Sequence, residues 1–503
     1  MNNQIFYDNL LSTAKLMDVS SELSVETEIV LADYDSPVFK IIKSTMEHLV
    51  TQKYISGGKL VVEGFIKISI YYQPPATEKL SVIFKKVPFQ KQLDVNESDV
   101  DLSFIDITGQ TQYINTRPQS STRIDVRGAY LLGIKYMSAK ENSVITAISN
   151  KNVCVDNTTI DFFILSGQNI RQFNVEDEID FGDDFHKIIR VEHVIATPET
   201  GVHTDKVVVK GEILTNIFYT TNNSDDIKKT TKSFMYNQII DMPDVKENHF
   251  IQSDISVSSF GISQNQETKK FVANIVVLVD LRAFSKGQII AVKDAFSREY
   301  EYENKNETLI VDTNIYNVEK TIPWQTNEKI GKEYAVSNVF FEISPVKNYF
   351  EINKNIVKAK LTVNIIARNV QNEYECFVKT QDIMLDFLEN CKQYDEICVQ
   401  LNATGYTAIQ TEDTVQINAN ICASGIVIEK QPIKLLKSFE ENTDKPVEQE
   451  DESLVIYYGK KGEKVFEIAK NHLANPQFIM EENELQTEKL TANQMLFIPC
   501  YKD

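Results

Sequence analysis

The groups most able to do chemistry in this sequence are acidic turns, histidines and cysteines. Asp180, Asp183 and Asp184 crowd one short stretch, and carboxylate oxygens are the ligands that hard divalent cations prefer. Their spacing is not that of an EF-hand loop, and a solvated turn is the better interpretation. None of the histidines stands four residues from another, the spacing that places two zinc ligands on one helical face. We therefore expect no metal site and no cofactor.

Catalytic signatures are also missing from the sequence. It contains no H-E-x-x-H, G-x-x-x-x-G-K-[ST], G-x-S-x-G or G-x-G-x-x-G pattern. Its D-F-G at 180–182 has neither a glycine-rich loop nor an H-R-D to accompany it. The closest cysteine pair, Cys391 and Cys398, is too widely spaced for a zinc knuckle. We expect reduced, buried thiols and a protein that is not an enzyme.

Charge and hydropathy restrict the possible partners. The 503 residues include 52 Lys and Arg against 72 Asp and Glu, a net charge of −20, which repels nucleic acid and anionic lipid. The best apolar run, at 275–279, falls far short of the roughly 20 residues that span a bilayer. The N-terminus has no basic segment before an apolar one, so we expect a cytoplasmic protein without membrane insertion.

An internal repeat organises the chain. Alternate residues of a strand share one face, and such a face is apolar in three segments: Val62 to Ile70, Val209 to Ile217 and Val357 to Ile365. The second position of the face is Gly64, Gly211 or Ala359. A small residue inside a strand typically marks close packing against another backbone. The matched register indicates one fold used three times.

Each copy has a second long strand pattern, beginning at Arg123, Lys270 and Thr414. The segments are rich in β-branched and aromatic residues, which predicts tandem antiparallel β domains that are sandwich-like. We predict a mainly β chain divided as follows: an N-terminal segment at 1–35, β repeats at 36–150, 151–300 (core about 183–300) and 301–438 (core about 333–438), an acidic linker at 439–452 and a small α+β domain at 453–500. Like charges should extend the linker and keep the last domain away from the repeats.

The C-terminal segment predicts a strand, two helices and a strand. A strand pattern at 454–460 precedes Gly462, which permits a tight turn. One helical face then carries Val465, Ile468, Ala469, His472 and Leu473. Asn475 with Pro476 is an N-cap followed by Pro at the first helical position, so a second helix starts there. A strand at 494–499 closes this βααβ unit.

This tail resembles the LysM family of carbohydrate-binding modules. The family pattern of Y-x-V-x-x-G-D-T-L, I-A, L-x-x-x-N-x-L and G-Q-x-L-x-I-P is matched at these positions: Tyr458, Lys461, Gly462, Val465, Ile468, Ala469, Ile479, Asn483, Leu485, Gln494, Leu496, Ile498 and Pro499. The polar D-T pair near the family's N-acetylglucosamine groove is Glu463-Lys464 here. Lys464 cannot cap the first helix, a loss typically worth about 1 kcal/mol. Phe466 is expected to be half exposed beside the core stripe.

Three tandem β repeats before such a tail resemble the SipL-like spore-coat morphogenetic proteins, whose repeats are called SPOCS domains. The resemblance implies a non-enzymatic scaffold in the mother-cell cytoplasm, at the forespore surface. It also implies that the LysM module binds a SpoIVA-like coat ATPase and that the repeats contact other coat proteins. We predict the partner contact at these residues: Gly462, Glu463, Lys464, Val465, Phe466, Ile479, Met480 and Asn483.

Two other functions remain open. A peptidoglycan-binding protein of the cell wall or cortex would use the glycan affinity of the tail, but it needs export, for which no signal is visible. A hydrolase anchored by the tail needs a nucleophile, a metal or a carboxylate pair in the repeats, and none can be placed.

Overall fold

The computed structural model describes residues 4–33, 35–75, 79–95, 103–182, 185–223, 226–264, 270–351, 354–447 and 454–499. Its first sandwich consists of β1 (Gln4–Val30), β2 (Lys40–Ser56), β3 (Lys59–Gln73), β4 (Ser81–Asp94), β5 (Ser103–Ser120) and β6 (Arg123–Ser149). The second consists of β7 (Val153–Ile179), β8 (Phe185–Ile195), β9 (Glu199–His203), β10 (Lys206–Thr221), β11 (Lys228–Asp241), β12 (Phe250–Gln264) and β13 (Phe271–Ser297).

The third sandwich repeats this order. It consists of β14 (Tyr300–Lys329), β15 (Tyr334–Ile343), β16 (Lys347–Glu351), β17 (Lys354–Asn369), β18 (Tyr374–Met384), a 3-10 turn (Asp386–Leu388), β19 (Glu396–Thr411) and β20 (Thr414–Pro446). The tail follows as β21 (Leu454–Gly459), α1 (Val465–Asn471), α2 (Pro476–Glu482) and β22 (Gln494–Pro499). The chain is therefore mainly β, as the sequence predicts, and we call the three sandwiches the body and residues 454–499 the tail.

The three sandwiches have one topology. One sheet of each has the strand order β1-β6-β5, β7-β13-β12 or β14-β20-β19. The other sheet has β2-β3-β4, β8-β10-β11 or β15-β17-β18, with β9 and β16 as short additions beside β10 and β17. All of these pairings are antiparallel, and the two sheets of each sandwich enclose their own apolar core.

The repeated face lies on the central strands β3, β10 and β17. Its side chains are almost completely buried, as Ile66, Ile213 and Leu361 illustrate. Each face belongs to the core of its own sandwich, because the opposite sheet covers it. The alternation of apolar residues had therefore identified the correct face in all three copies.

The small residues on this face relieve crowding in two different ways. A Cβ atom on Gly64 would overlap the carbonyl oxygen of Leu49 and lie 3.0 Å from the Cα of Val50, at an irregularity in the β2–β3 register. Gly211 instead lies under the ring of Tyr236, its partner across the β10–β11 pair. Both glycines are packing positions, as the sequence indicates.

Both ends of the body differ from the expected division. Residues 1–35, expected as a separate N-terminal segment, contain β1, which pairs with β6 from Gln4 to Val30. The expected linker begins inside β20, which runs to Pro446 alongside β14, while residues 448–453 lie outside the described part. The reason at the N-terminus is the long sequence separation of the two paired strands. β1 ends at Val30 and its partner β6 begins only at Arg123, so local sequence patterns cannot reveal the pairing.

The long strands carry the three sandwiches into a shared apolar centre. Equivalent residues of the three copies meet there in layers: Val144, Ala291 and Leu435 in one cluster, Ile145, Val292 and Leu436 in a second, and Met137, Phe284 and Ile428 in a third. One residue from each copy per layer is the arrangement expected around an approximate threefold axis. The body is therefore a single packed unit rather than three separate domains joined by linkers.

Buried charges also join the copies. Arg282 of the second sandwich, 1% exposed, donates hydrogen bonds to Asp106 of the first at 2.7 Å and to Asp280 at 3.1 Å. Lys53 of the first sandwich reaches Asp280 at 2.6 Å. Burial alone would raise the pKa of Asp106 and Asp280, but Arg282 and Lys53 outweigh it and hold both values below normal.

Candidate interaction surface

The tail is a compact βααβ unit, as the sequence predicts. β21 and β22 pair antiparallel, and their inner face, with Val455 and Tyr457, packs on the two helices. The N-cap of α2 is Asn475, whose side chain accepts a hydrogen bond from the Gln477 amide at 2.9 Å, with Pro476 at the first helical position. The N-cap of α1 is Lys464, whose side chain makes no capping bond, so the expected loss of a cap is confirmed.

Three of the eight residues predicted to contact a partner serve the tail's own fold. Val465 and Ile479 are core residues with 1% and 0% exposure. Asn483 fixes α2 to β22, because its amide donates to the Phe497 carbonyl at 2.7 Å and its oxygen accepts from the Phe497 amide at 2.7 Å. Met480 is half buried against the same core.

The loop before α1 is built around Gly462 and Glu463. Gly462 has φ = +91°, a conformation that side-chain-bearing residues rarely adopt. The Glu463 carboxylate accepts hydrogen bonds from the Lys460 amide at 2.9 Å and the Tyr457 hydroxyl at 3.3 Å. The two residues therefore shape the turn, in which both hydrogen bonds fall on a single carboxylate oxygen of Glu463, Oε2.

The sequence predicts that Phe466 is half exposed. This prediction is wrong, because only 8% of the residue is exposed in the structure. Its ring packs edge-on against Phe296 at the end of β13, with 5.3 Å between ring centroids. Cys154 of β7 and Tyr302 of β14 complete the same apolar cluster. The sequence correctly places Phe466 on the first helix of the tail. The side chain that covers it comes from the body, and no sequence signal links Phe296 to Phe466.

Two lysines of the tail make ion pairs beside this ring contact. Lys464 lies 3.2 Å from Asp156 of β7, and Lys470 pairs with Asp294 of β13. Burial alone would lower the pKa of Lys470, but the hydrogen bond and the charge of Asp294 raise it. The Lys470 ammonium also lies 6.0 Å from the Tyr302 ring centroid.

The tail therefore docks on the body, contrary to the expectation that the acidic linker keeps the two apart. We call Lys464, Phe466 and Lys470 the docked face. Apolar contact and two charge pairs together outweigh the repulsion expected along the linker. Of the residues predicted to bind a partner, Lys464 and Phe466 are thus occupied within the chain, and their role toward a partner stays a prediction.

The opposite side of the tail carries exposed apolar residues. Leu454, Ile456 and Tyr458 alternate along β21 with exposures of 45%, 63% and 68%, and Met495 of β22, opposite Tyr458, is 54% exposed. Alternate residues of a strand point to one side, so these four form a single outer surface, the hairpin face. Of these four residues, the sequence identifies only Tyr458, as a match to the LysM pattern, and predicts none of them as a partner contact, although the alternation along β21 is a visible signal.

A concave region lies where the three sandwiches meet. A cavity of about 570 Å³ is lined by all three, with Asp106, His193, Asp254, Cys398 and Asn402 among its residues. Burial lowers the pKa of His193 to about 4, so its ring is neutral near pH 7. Nothing in this lining forms a recognisable catalytic set.

The other chemical groups singled out in the sequence give no assembled site. Asp183 and Asp184 lie outside the described residues, while Asp180 accepts a hydrogen bond from the Gly182 amide at 2.8 Å. Within the described ranges, no three His, Cys, Asp or Glu side chains are grouped as metal ligands, and no helix has the length and hydropathy to cross a membrane. The five cysteines described there are free thiols.

Two segments of the chain match a known family model, described as SipL, SPOCS domain. The matches cover residues 37–117 and 184–263. They coincide with β2 to β5 of the first sandwich and β8 to β12 of the second, which are equivalent parts of the fold. A comparison with curated proteins and one with solved structures gave no match. The chain is thus similar to SipL-like proteins over the same strands of two sandwiches.

Proposed function

We propose that this protein is a non-enzymatic scaffold of the endospore coat. The observation that carries the proposal is the pair of SPOCS matches on equivalent strands of two sandwiches. In this role the body presents sheet edges and loops to other coat proteins, and the tail, a LysM-like module, binds a coat morphogenetic protein of the SpoIVA-like ATPase type. The protein would act in the mother-cell cytoplasm and tether the coat to the forespore surface.

The geometry of the tail supports a protein partner rather than a glycan. The positions that correspond to the polar pair of sugar-binding LysM modules are Glu463 and Lys464. Glu463 accepts hydrogen bonds inside its own turn, and Lys464 pairs with Asp156 of the body. A glycan would have to compete with these bonds for Oε2 of Glu463 and for the Lys464 ammonium.

The rigid body supports a scaffold. Apolar layers and buried ion pairs fix the three sandwiches relative to one another, so surfaces on different sandwiches keep constant spacing. A protein that links two coat layers benefits from such fixed spacing, because partners bound at two surfaces then remain at a defined distance.

A direct test uses the full-length chain. Purified SpoIVA-like ATPase should be captured by the immobilised protein, and an excess of chitin oligosaccharide should leave that capture unchanged. A fluorescent fusion in sporulating cells should collect at the forespore surface. The proposal fails if the chain pellets with insoluble peptidoglycan and captures no coat protein, or if the fusion remains dispersed through the mother cell.

A further inference from the structure

The tail has one side fixed to the body and one side open. Phe466 packs on Phe296 and the two lysines of the docked face pair with Asp156 and Asp294. These contacts orient the tail, so the hairpin face on the other side of its small sheet is directed outward. A partner can therefore bind this outer side without displacing the docked face.

The hairpin face is unusually apolar for an exposed surface. The inner residues of β21, Val455 and Tyr457, are covered by the helices, and Tyr457 contacts the His472 ring with 5.5 Å between centroids. The outer residues Ile456 and Tyr458 are nevertheless large, and both are more than 60% exposed. A strand that is apolar on both sides normally has both sides covered.

The two edges of this sheet differ. Asn483 closes the edge of β22, because its side chain satisfies both the amide and the carbonyl of Phe497. β21 pairs only with β22, and within the described residues no hydrogen bond reaches its outer edge. The outer edge of β21 therefore offers an uninterrupted row of unpaired amides and carbonyls, which an additional strand requires.

Exposed positive and negative side chains lie on different parts of the tail. Lys460 and Lys461 directly follow β21, are exposed, and use only backbone groups in the hydrogen bonds of the turn. The helical side exposes carboxylates instead: Glu467, Glu481, Glu482, Glu484 and Glu488. The C-terminal end of the open edge thus carries two positive charges on a chain whose net charge is −20, and this end complements a negatively charged segment.

We propose that an extended, acidic segment of a partner protein adds as a third strand to the outer edge of β21. Its alternate apolar side chains cover Ile456 and Tyr458, and its carboxylates pair with Lys460 and Lys461. This inference rests on the proposed function only in that the tail is a protein-binding module. It moves the partner surface from the loop at 462–466 to the hairpin face.

Synthetic peptides of about ten residues, the length of a long strand, provide the probe. Alternate positions are Val or Ile, and the remaining positions are all Glu, all Gln or all Lys. The Glu series should bind the full-length chain most tightly, and its affinity should fall with added salt. Hydrogen exchange of the bound chain should slow at 454–458, while β22, already bonded by Asn483, should change little.

Matched variants separate this surface from the rest of the chain. Ile456→Glu should weaken binding by at least about tenfold, because truncated or charged anchors typically cost that much or more. Ile239→Glu is the control, since Ile239 is an equally exposed isoleucine on a strand of the body (58% against 63%). Lys460→Glu with Lys461→Glu should slow association with the Glu series and leave the fold unchanged even if Ile456→Glu perturbs the tail.

The inference is overturned if the Gln or Lys series binds as tightly as the Glu series, or if protection appears at 462–466 instead of 454–458. It is also overturned if Ile239→Glu weakens binding as much as Ile456→Glu, or if Ile456→Glu only disperses a homodimer in sedimentation. Capture of the coat ATPase distinguishes this failure from that of the proposed function. Undiminished capture by Ile456→Glu refutes only the surface, whereas peptide binding without capture refutes the coat role.

Discussion

Removal of the Arg282 guanidinium should destabilise the junction between the first and second sandwiches more than any exposed ion pair can. The side chain is 1% exposed and reaches Asp106 at 2.7 Å and Asp280 at 3.1 Å. Arg282→Met keeps much of the apolar stem of the side chain. It removes the guanidinium, whose carbon lies 4.5 Å from the Phe104 ring centroid, and leaves Asp106 without its nearest cation.

The expected magnitude follows from burial. Removing one partner of a buried ion pair typically costs about 3–5 kcal/mol, because the remaining charge stays desolvated and uncompensated. Lys53 still lies 2.6 Å from Asp280, which places the expected loss near the lower end of that range. Arg123 is the control: its pair with Glu28 at 3.2 Å has side-chain exposures of 57% and 49%, and such pairs contribute about 0–1 kcal/mol.

The assay is urea unfolding of Arg282→Met and Arg123→Met at several pH values. The pKa values of Asp106 and Asp280 are lowered in the folded protein, so their stabilisation is complete above the unfolded-state value near 4 and is lost as pH falls through the folded values. The difference between wild type and Arg282→Met should be largest near neutral pH and shrink in acid. Equal losses for the two variants, or a difference independent of pH, would show that burial does not control this junction.

Three further changes test other parts of the structure. Gly64→Val should lower the free energy of unfolding by about 1–3 kcal/mol in thermal unfolding, because the new side chain overlaps the Leu49 carbonyl across the β2–β3 pair. Phe466→Ala should loosen the tail from Phe296, and limited proteolysis between body and tail should become faster. Asn483→Ala removes both hydrogen bonds to Phe497 and should lower the melting temperature of the tail alone in calorimetry.

Each of these changes has a clear contrary result. Gly261→Val is the control for Gly64→Val, because a Cβ atom there meets nothing within 4 Å, and equal destabilisation by both would contradict the packing argument. Unchanged proteolysis of Phe466→Ala would mean that the ring contact does not fasten the tail. Simultaneous melting of body and tail in Asn483→Ala would mean that the two hydrogen bonds between Asn483 and Phe497 do not act on the tail alone.

The sequence was informative wherever the structure depends on local alternation. The faces on β3, β10 and β17 and the order of elements in the tail follow from periods of two and 3.6 residues, which a single segment displays by itself. The pairing of β1 with β6 and the docking of Phe466 on Phe296 depend on contacts between residues far apart in the chain. An apolar residue on a helix shows that something covers it, but not which surface does so.

Sequence differences between the three copies at the centre of the body limit the number of positions at which a tail can dock. Ile148, Ala295 and Phe439 are equivalent residues of a central cluster, and the residues that follow them are Ser149, Phe296 and Glu440. At this position only the second copy carries an aromatic ring, Phe296, which contacts Phe466. A trimer of identical chains would have three equal positions and variable occupancy. Three linked copies whose sequences have diverged leave one position and one tail, so the stoichiometry of that contact is independent of protein concentration.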